Sequence, residues 1–188
     1  LMIILLCGLS GSGKTTLAQN VKIRLSDTDV PVEIIDADVY RQKLFPNLGY
    51  TKEDRFENIR RLGFIAGKLS GHGIVTIISA INPYDVIRRE LIATYHNVKL
   101  IHIDCPVKTL MQRDTKGLYK RALLPEGHPD KVTNLSGVND PFQIPSSPDL
   151  YINTHITQQG IATEMLAGFI LENYQQAQIK QLYQTGRY

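Results

Sequence analysis

A three-layer α/β/α domain, with helices on both faces of a mainly parallel sheet of about five strands, is the fold class that the sequence predicts. Short β-branched apolar runs alternate with longer amphipathic ones along most of the chain. Strands that alternate with helices must be joined by crossovers, and crossovers make neighbouring strands parallel. The length of 188 residues predicts one domain spanning 1–188, large enough to hide roughly 70% of its unfolded surface without staples.

The elements follow in order. Met2 to Cys7 reads as a buried strand, and Lys14 to Leu25 as a helix with Leu17, Val21 and Leu25 at four-residue spacing. Val32 to Ile35 is a second strand. Thr51 to Leu69 is a long helix that opens on a Thr51–Asp54 capping pair, with Gly71 and Gly73 closing it. Ile74 to Ile78 is a third strand, Tyr84 to Tyr95 a helix, and Val98 to Ile103 a fourth strand. Pro106 opens a helix to about Arg113. Leu150 to Ile152 is a short fifth strand, and Thr157 to about Tyr183 a C-terminal helix. Between them, Asp114 to Pro148 carries five prolines and three glycines with little apolar periodicity. A stretch of that length and composition reads as a lid loop.

Composition excludes several classes. At 43% hydrophobic and 21% charged, the chain is not disordered, collagenous or a disulfide framework. The net charge of +3 comes without a concentrated basic run, so no nucleic-acid partner is expected. No apolar stretch approaches the ~20 residues of a membrane helix. The apolar opening Leu1 to Leu6 lacks a basic flank and reads as a core strand rather than a signal or an anchor. Cys7 and Cys105 read as reduced thiols in the core of a cytoplasmic protein. The five histidines show no metal-ligand spacing.

Gly8-Leu9-Ser10-Gly11-Ser12-Gly13-Lys14-Thr15 matches G-x-x-x-x-G-K-[ST] between a predicted strand and a predicted helix. Glycines let such a backbone fold into a nest whose N–H groups converge on phosphate oxygens, and the following helix adds its positive end. Gly8, Ser10, Gly11, Ser12, Gly13, Lys14, Thr15 and Thr16 are therefore the expected ATP-binding set. Lys14 supplies charge to the β- and γ-phosphates, the Thr15 hydroxyl is placed to ligate Mg²⁺, and Thr16 reaches toward the α-phosphate. The sheet is thus of the P-loop NTPase type. No N-K-x-D run for guanine is present, and a motor would need more chain. A small phosphate-loop protein with a lid points to a kinase of small molecules, the lid excluding water from the reaction.

A kinase needs carboxylates near the metal and the acceptor hydroxyl. Asp36 and Asp38, read as an extended continuation of the second strand, point to the same side. One would hold a Mg²⁺-bound water and the other take or position the acceptor proton. The alternative is that one of them caps the next helix. Asp104, before Cys105-Pro106, reads as a helix cap. Arg41, Arg55, Arg60 and Arg61 form a basic cluster, with Arg55 and Asn58 sharing a helix face. An Arg fork suits phosphate or sulfate oxygens. Tyr50 is placed to stack a nucleobase.

Five ordered blocks resemble the adenylylsulfate (APS) kinase family. They are the phosphate loop, Asp36-Ala37-Asp38-Val39-Tyr40-Arg41, Leu48 to Arg61, Asp104-Cys105-Pro106 with Gln112 to Lys120, and Ser136 to Phe142. The resemblance implies transfer of the ATP γ-phosphate to the 3′-hydroxyl of APS, giving PAPS and ADP, a step of sulfate assimilation. It places Asp36 at the Mg²⁺ and acceptor site and Arg113 near the ATP purine. Arg41, Tyr50, Arg55, Asn58, Ile81, Asn82, Lys116 and Leu135 form the acceptor set, with Tyr50 stacking on adenine. It also implies a homodimer.

Departures from the family pattern cluster in the acceptor half. Ala37 and Val39 replace Gly and Asn, and Asn82 replaces Ser. Asp85 stands where a cation is usual, and Leu135 stands where the second aromatic of the adenine sandwich is expected. Thr133 replaces a lid Lys for which Lys131 could substitute. The pattern therefore also admits a different nucleotide-like acceptor, such as cytidine diphosphoramidate. A third reading is nucleotide binding without turnover.

Overall fold

The computed structural model describes residues 1–185, and side chains through residue 179. Its sheet contains β1 (Ile3–Cys7), β2 (Val32–Asp36), β3 (Val75–Ser79), β4 (Val98–Asp104) and β5 (Leu150–Asn153). All pairings are parallel, in the order β2-β3-β1-β4-β5. Every residue of the central β1 is buried. Successive side chains alternate faces. Ile4 and Leu6 pack with Ile77, Ile101 and Ile152 beneath α1 (Lys14–Arg24) and α7 (Gln159–Thr185). Ile3, Leu5 and Cys7 pack on the other face against α3 (Lys52–Gly71) and α4 (Asp85–Thr94). This is the predicted three-layer arrangement.

The strand order reverses at β1, between β3 and β4. Ligands of open α/β sheets sit outside the strands' carboxyl ends at such a switch point. The Thr51–Asp54 capping box forms as predicted: the Thr51 hydroxyl accepts from the Asp54 N–H at 3.1 Å, and the Asp54 carboxylate accepts from the Thr51 N–H at 3.3 Å.

Three local expectations are corrected. Residues after β2 do not stay extended: α2 (Ala37–Leu44) begins at once, and Asp36 is its N-cap. The helix wins because the Asp36 carboxylate meets two orphan N–H groups, so Asp36 and Asp38 do not lie on one side of a strand. Asp104 does not cap α5 (Val107–Arg113); its carboxylate accepts from the Tyr151 hydroxyl at 2.7 Å. The 114–148 segment is not a bare loop. It holds α6 (Leu118–Ala122) and a small apolar cluster in which Tyr119, Ala122 and Leu135 pack on Cys105 and Leu110. Both cysteines are free and buried, as read from the sequence.

Arg88 of α4 is wholly buried. Its guanidinium donates to the carbonyls of Asn82 at 2.9 Å and Gln143 at 2.6 Å, and lies 3.4 Å from Asp85. It thus ties the return of the 114–148 segment to the loop after β3. Arg88→Ala should lower the free energy of unfolding by about 3–5 kcal/mol, because a buried charged donor is removed and its acceptors are stranded. Chemical denaturation measures this; a change within about 0.5 kcal/mol, the range of ordinary surface substitutions, would contradict it.

Candidate active site

The loop between β1 and α1 begins at Gly8, whose N–H donates to the Ile81 carbonyl at 3.1 Å. A Cβ at Gly8 would lie 2.1 Å from the Ile103 carbonyl oxygen, so only glycine passes there. Gly13 is left-handed at φ 95° and caps α1, aiming the first N–H groups of that helix into the loop. Lys14 is buried and donates to the carbonyls of Gly8 at 2.9 Å and Leu9 at 2.8 Å. Burial, followed by the nearby Lys116 charge, pulls the Lys14 ammonium down to about 8, against the opposing pull of Asp38, Cys7 and Asp36.

Three oxygens meet in front of this loop. The Thr15 hydroxyl donates to Asp36 Oδ2 at 2.7 Å and lies 3.2 Å from Ser79 Oγ. Asp36 Oδ1 accepts from the N–H groups of Asp38 at 3.0 Å and Val39 at 3.2 Å. One carboxylate therefore caps α2 and faces the phosphate loop. Asp38, in the first turn of α2, accepts from Lys116 Nζ at 2.7 Å. Thr16 lines the same cleft.

A second cavity adjoins the first, and Asp38 and Ile81 line both. They enclose about 750 and 420 Å³, open solvent at their mouths included. Arg41, Tyr50, Arg55, Asn58 and Asn82 line the second. Arg41 donates to the Gly49 carbonyl, and its guanidinium sits 4.8 Å from the Tyr50 ring centre. Arg55 donates to the carbonyls of Tyr50 at 3.0 Å and Asn134 at 2.6 Å. Both guanidiniums are buried; Arg55 also lies 3.9 Å from the Asp140 carboxylate, whereas Arg41 is anchored by a neutral carbonyl and brings the less compensated charge to the cavity. Asn58 Oδ1 and both polar atoms of Asn82 are buried without a partner.

The predicted residues thus gather into two groups, with five exceptions of detail. Lys116, expected in the acceptor set, lines the phosphate-loop cavity and not the second one. Leu135, expected as an acceptor contact, is buried in the apolar cluster of the 114–148 segment and does not line the second cavity. Lys131 does not substitute for the missing lid Lys, because it donates to the Leu124 carbonyl and to Glu126. Asp85 presents no bare charge to the site, since it pairs with Arg89 at 2.8 Å and Arg88 at 3.4 Å. Arg113 stands on the other flank of the phosphate loop, beside Ser10 and Gly11, and reaches the Thr154 carbonyl at 3.4 Å.

Ser79 was not anticipated. Its signal was a polar residue ending an apolar strand, in register with Asp36 on β2. Tyr119 was also missed; its buried hydroxyl donates to the Ser10 carbonyl at 2.8 Å, steadying the loop backbone. No spacing rule marks a contact between residues so far apart in the chain.

A parallel sheet with a glycine nest at its switch point, a buried lysine, and a threonine facing a carboxylate defines a phosphate-loop nucleotide-binding protein. Residues 1–153 match the model of the adenylylsulphate kinase family, and the chain belongs to that family. It is 39% identical over 155 residues to the adenylyl-sulfate kinase of Chloroflexus aurantiacus, covering 82% of this chain and 81% of that one. It is 42% identical over 147 residues to that of Deinococcus deserti, covering 78% of each. It also resembles the Mycobacterium tuberculosis APS kinase solved with AMPPNP and APS, at 31% identity and a TM-score of 0.79, covering 88% of this chain and 95% of that one.

The position of Lys14 makes ATP affinity pH-dependent. The triphosphate favours the charged ammonium, so binding is full below about 8 and weakens as pH rises through that value. The expected decline is roughly tenfold per pH unit above it. Equilibrium ATP titrations on either side of that pH check this, and a flat profile would refute it.

Proposed function

We propose that this chain transfers the γ-phosphoryl group of ATP to the 3′-hydroxyl of adenylylsulfate. The observation that carries the reading is the pair of adjoining cavities that meet at Asp38, one built for a triphosphate and one lined by buried arginines and unpartnered amides. Ribose hydroxyl and γ-phosphate would face each other at that seam. The oxygen–phosphorus bond to ADP breaks as the bond from the 3′-oxygen forms, and the hydroxyl proton leaves.

The loop N–H groups and Lys14 would hold the triphosphate, with Arg113 flanking it. Among the described residues no group of three or more His, Cys, Asp or Glu could hold a metal unaided. The hydroxyl of Thr15 and the carboxylate of Asp36, with Ser79 beside them, are hard oxygen donors that fit Mg²⁺ shared with phosphates. When bound, Mg²⁺ supplies neutralisation of charge on the β- and γ-oxygens. Asp36 lines only the triphosphate cleft, whereas Asp38 lines both cavities. That division favours Asp36 as the metal-side carboxylate and Asp38 as the group that takes or positions the acceptor proton. Arg41 and Arg55 would hold the phosphosulfate, Tyr50 would stack on the base, and Lys116 would exchange Asp38 for phosphate oxygens.

The burial of Leu135 and the pairing of Asp85 give two of the departures structural roles, which weakens the case for a re-purposed acceptor. Mg·ATP with APS should release ADP and yield PAPS identified by mass, while cytidine diphosphoramidate gives little. No response to APS in a protein that binds ATP would refute the reading. Asp36→Asn keeps the α2 cap, because asparagine caps as well as aspartate. It should bind ATP and lose about 10–100-fold in turnover, the scale for losing a partner that orients a metal site. Unchanged turnover would remove Asp36 from the mechanism.

A further inference from the structure

The 114–148 segment touches the phosphate loop at two neighbouring residues. Tyr119 is buried, and its hydroxyl donates to the Ser10 carbonyl at 2.8 Å. Burial pushes that phenol up to about 12, so its proton stays in place at any physiological pH. At Leu9 the segment comes closer still: a Cβ at Gly137 would lie 2.7 Å from Leu9 Cδ2. Tyr119 is itself held firmly. The Asp114 carboxylate accepts from the N–H groups of Tyr119 at 3.1 Å and Lys120 at 2.9 Å, and the ring belongs to the apolar cluster with Leu110 and Leu135. A fixed helix therefore brings the hydroxyl to the loop.

A planar trans peptide sets its C=O and its N–H on opposite sides. Holding the Ser10 carbonyl toward Tyr119 therefore turns the Gly11 N–H the other way. Gly11 lines the triphosphate cleft, and its N–H donates to no atom among the described residues. Packing does not fix this peptide. Gly11 is left-handed at φ 77°, and a Cβ there would meet nothing nearer than Leu110 Cδ2 at 3.7 Å. Glycine tolerates either orientation of the peptide that precedes it. Among the described residues Tyr119 is the only donor to the Ser10 carbonyl, so this hydrogen bond decides between the two orientations.

We propose that Tyr119 is a positioning residue for the triphosphate: by holding the Ser10 carbonyl it aims the Gly11 N–H at a phosphate oxygen, so that nucleotide affinity depends on the packing of the 114–148 segment. This rests on the cleft in front of the loop being the triphosphate site. Neither Tyr119 nor Gly11 lines the second cavity, so the ligand held there should not share the dependence.

The test compares the full chain with Tyr119→Phe, which keeps the ring in its cluster and removes the hydroxyl. Calorimetry gives dissociation constants for AMPPNP, inorganic tripolyphosphate and APS, each with Mg²⁺ present. In the variant the first two should weaken by about 3–10-fold, the scale of one hydrogen bond, and APS by less than about twofold. In nitrogen-labelled wild-type protein the Gly11 amide resonance should move when tripolyphosphate is added, and in the variant that movement should shrink. Unchanged triphosphate affinities would overturn the proposal. So would an unchanged Gly11 response, whatever the affinities. Equal weakening of APS would overturn it too, as the mark of a merely structural residue. If the wild type binds tripolyphosphate and not APS, the proposed function falls, and the Gly11 response with the tripolyphosphate affinity decides the role of Tyr119. Binding of neither AMPPNP nor tripolyphosphate by the wild type would overturn both.

Discussion

The passage of Gly8 against the Ile103 carbonyl is the constraint on which the site depends. A side chain there would collide with the backbone of β4, so the central strand can end only in glycine if the sheet is to stay paired on both sides. Because the strand ends there, the loop turns over the carboxyl edge of the sheet instead of beside it. The loop carbonyls of Gly8 and Leu9 then hold Lys14, and Thr15 comes within hydrogen-bonding distance of Asp36 and Ser79 on neighbouring strands. The chemistry of the cleft is a consequence of backbone packing in its floor.

Charge is arranged around this edge with little neutralisation by surface pairs. Burial, with the nearby Lys116 charge, weakens the hold of Lys14 on its proton and leaves it poised for an anion. Arg55 reaches the Asn134 carbonyl of the 114–148 segment, and the Tyr84 hydroxyl reaches Asp140 at 3.2 Å. Arg88 closes the same seam from below. The segment is thus fastened to the acceptor side by three side chains, and to the phosphate loop by Tyr119. Lys116 and Asp38 are more exposed, and an exposed pair of this kind contributes roughly 0–1 kcal/mol, so it can yield to a phosphate at small cost.

Most of the sheet and the phosphate loop were legible in the sequence, because strand runs and the glycine spacing are local signals. The α3 capping box was legible for the same reason. Helix α2 was legible only as the alternative in which an aspartate caps the next helix, since Asp36-Ala37-Asp38 also reads as a continuation of an apolar strand. The role of Leu135 was misplaced because an aromatic position inferred from likeness says nothing of where a leucine packs. In this chain the leucine finds an apolar cluster that the 114–148 stretch, poor in periodicity, had concealed. Arg88 and Tyr119 act through carbonyls remote in sequence, and no motif encodes such partners. Asn82 was legible as a departure, but the burial of its amide was not.

Two cavities that share Asp38 as a wall imply two nucleotides bound at once. The most direct measurement is a calorimetric titration of APS into the chain saturated with AMPPNP, repeated in the reverse order. Adjoining sites predict one equivalent of each, bound together, with loss of the APS isotherm in Arg55→Ala and survival of the AMPPNP one. Mutually exclusive binding would mean that the second cavity is part of the ATP site, and it would contradict the assignment of an acceptor pocket.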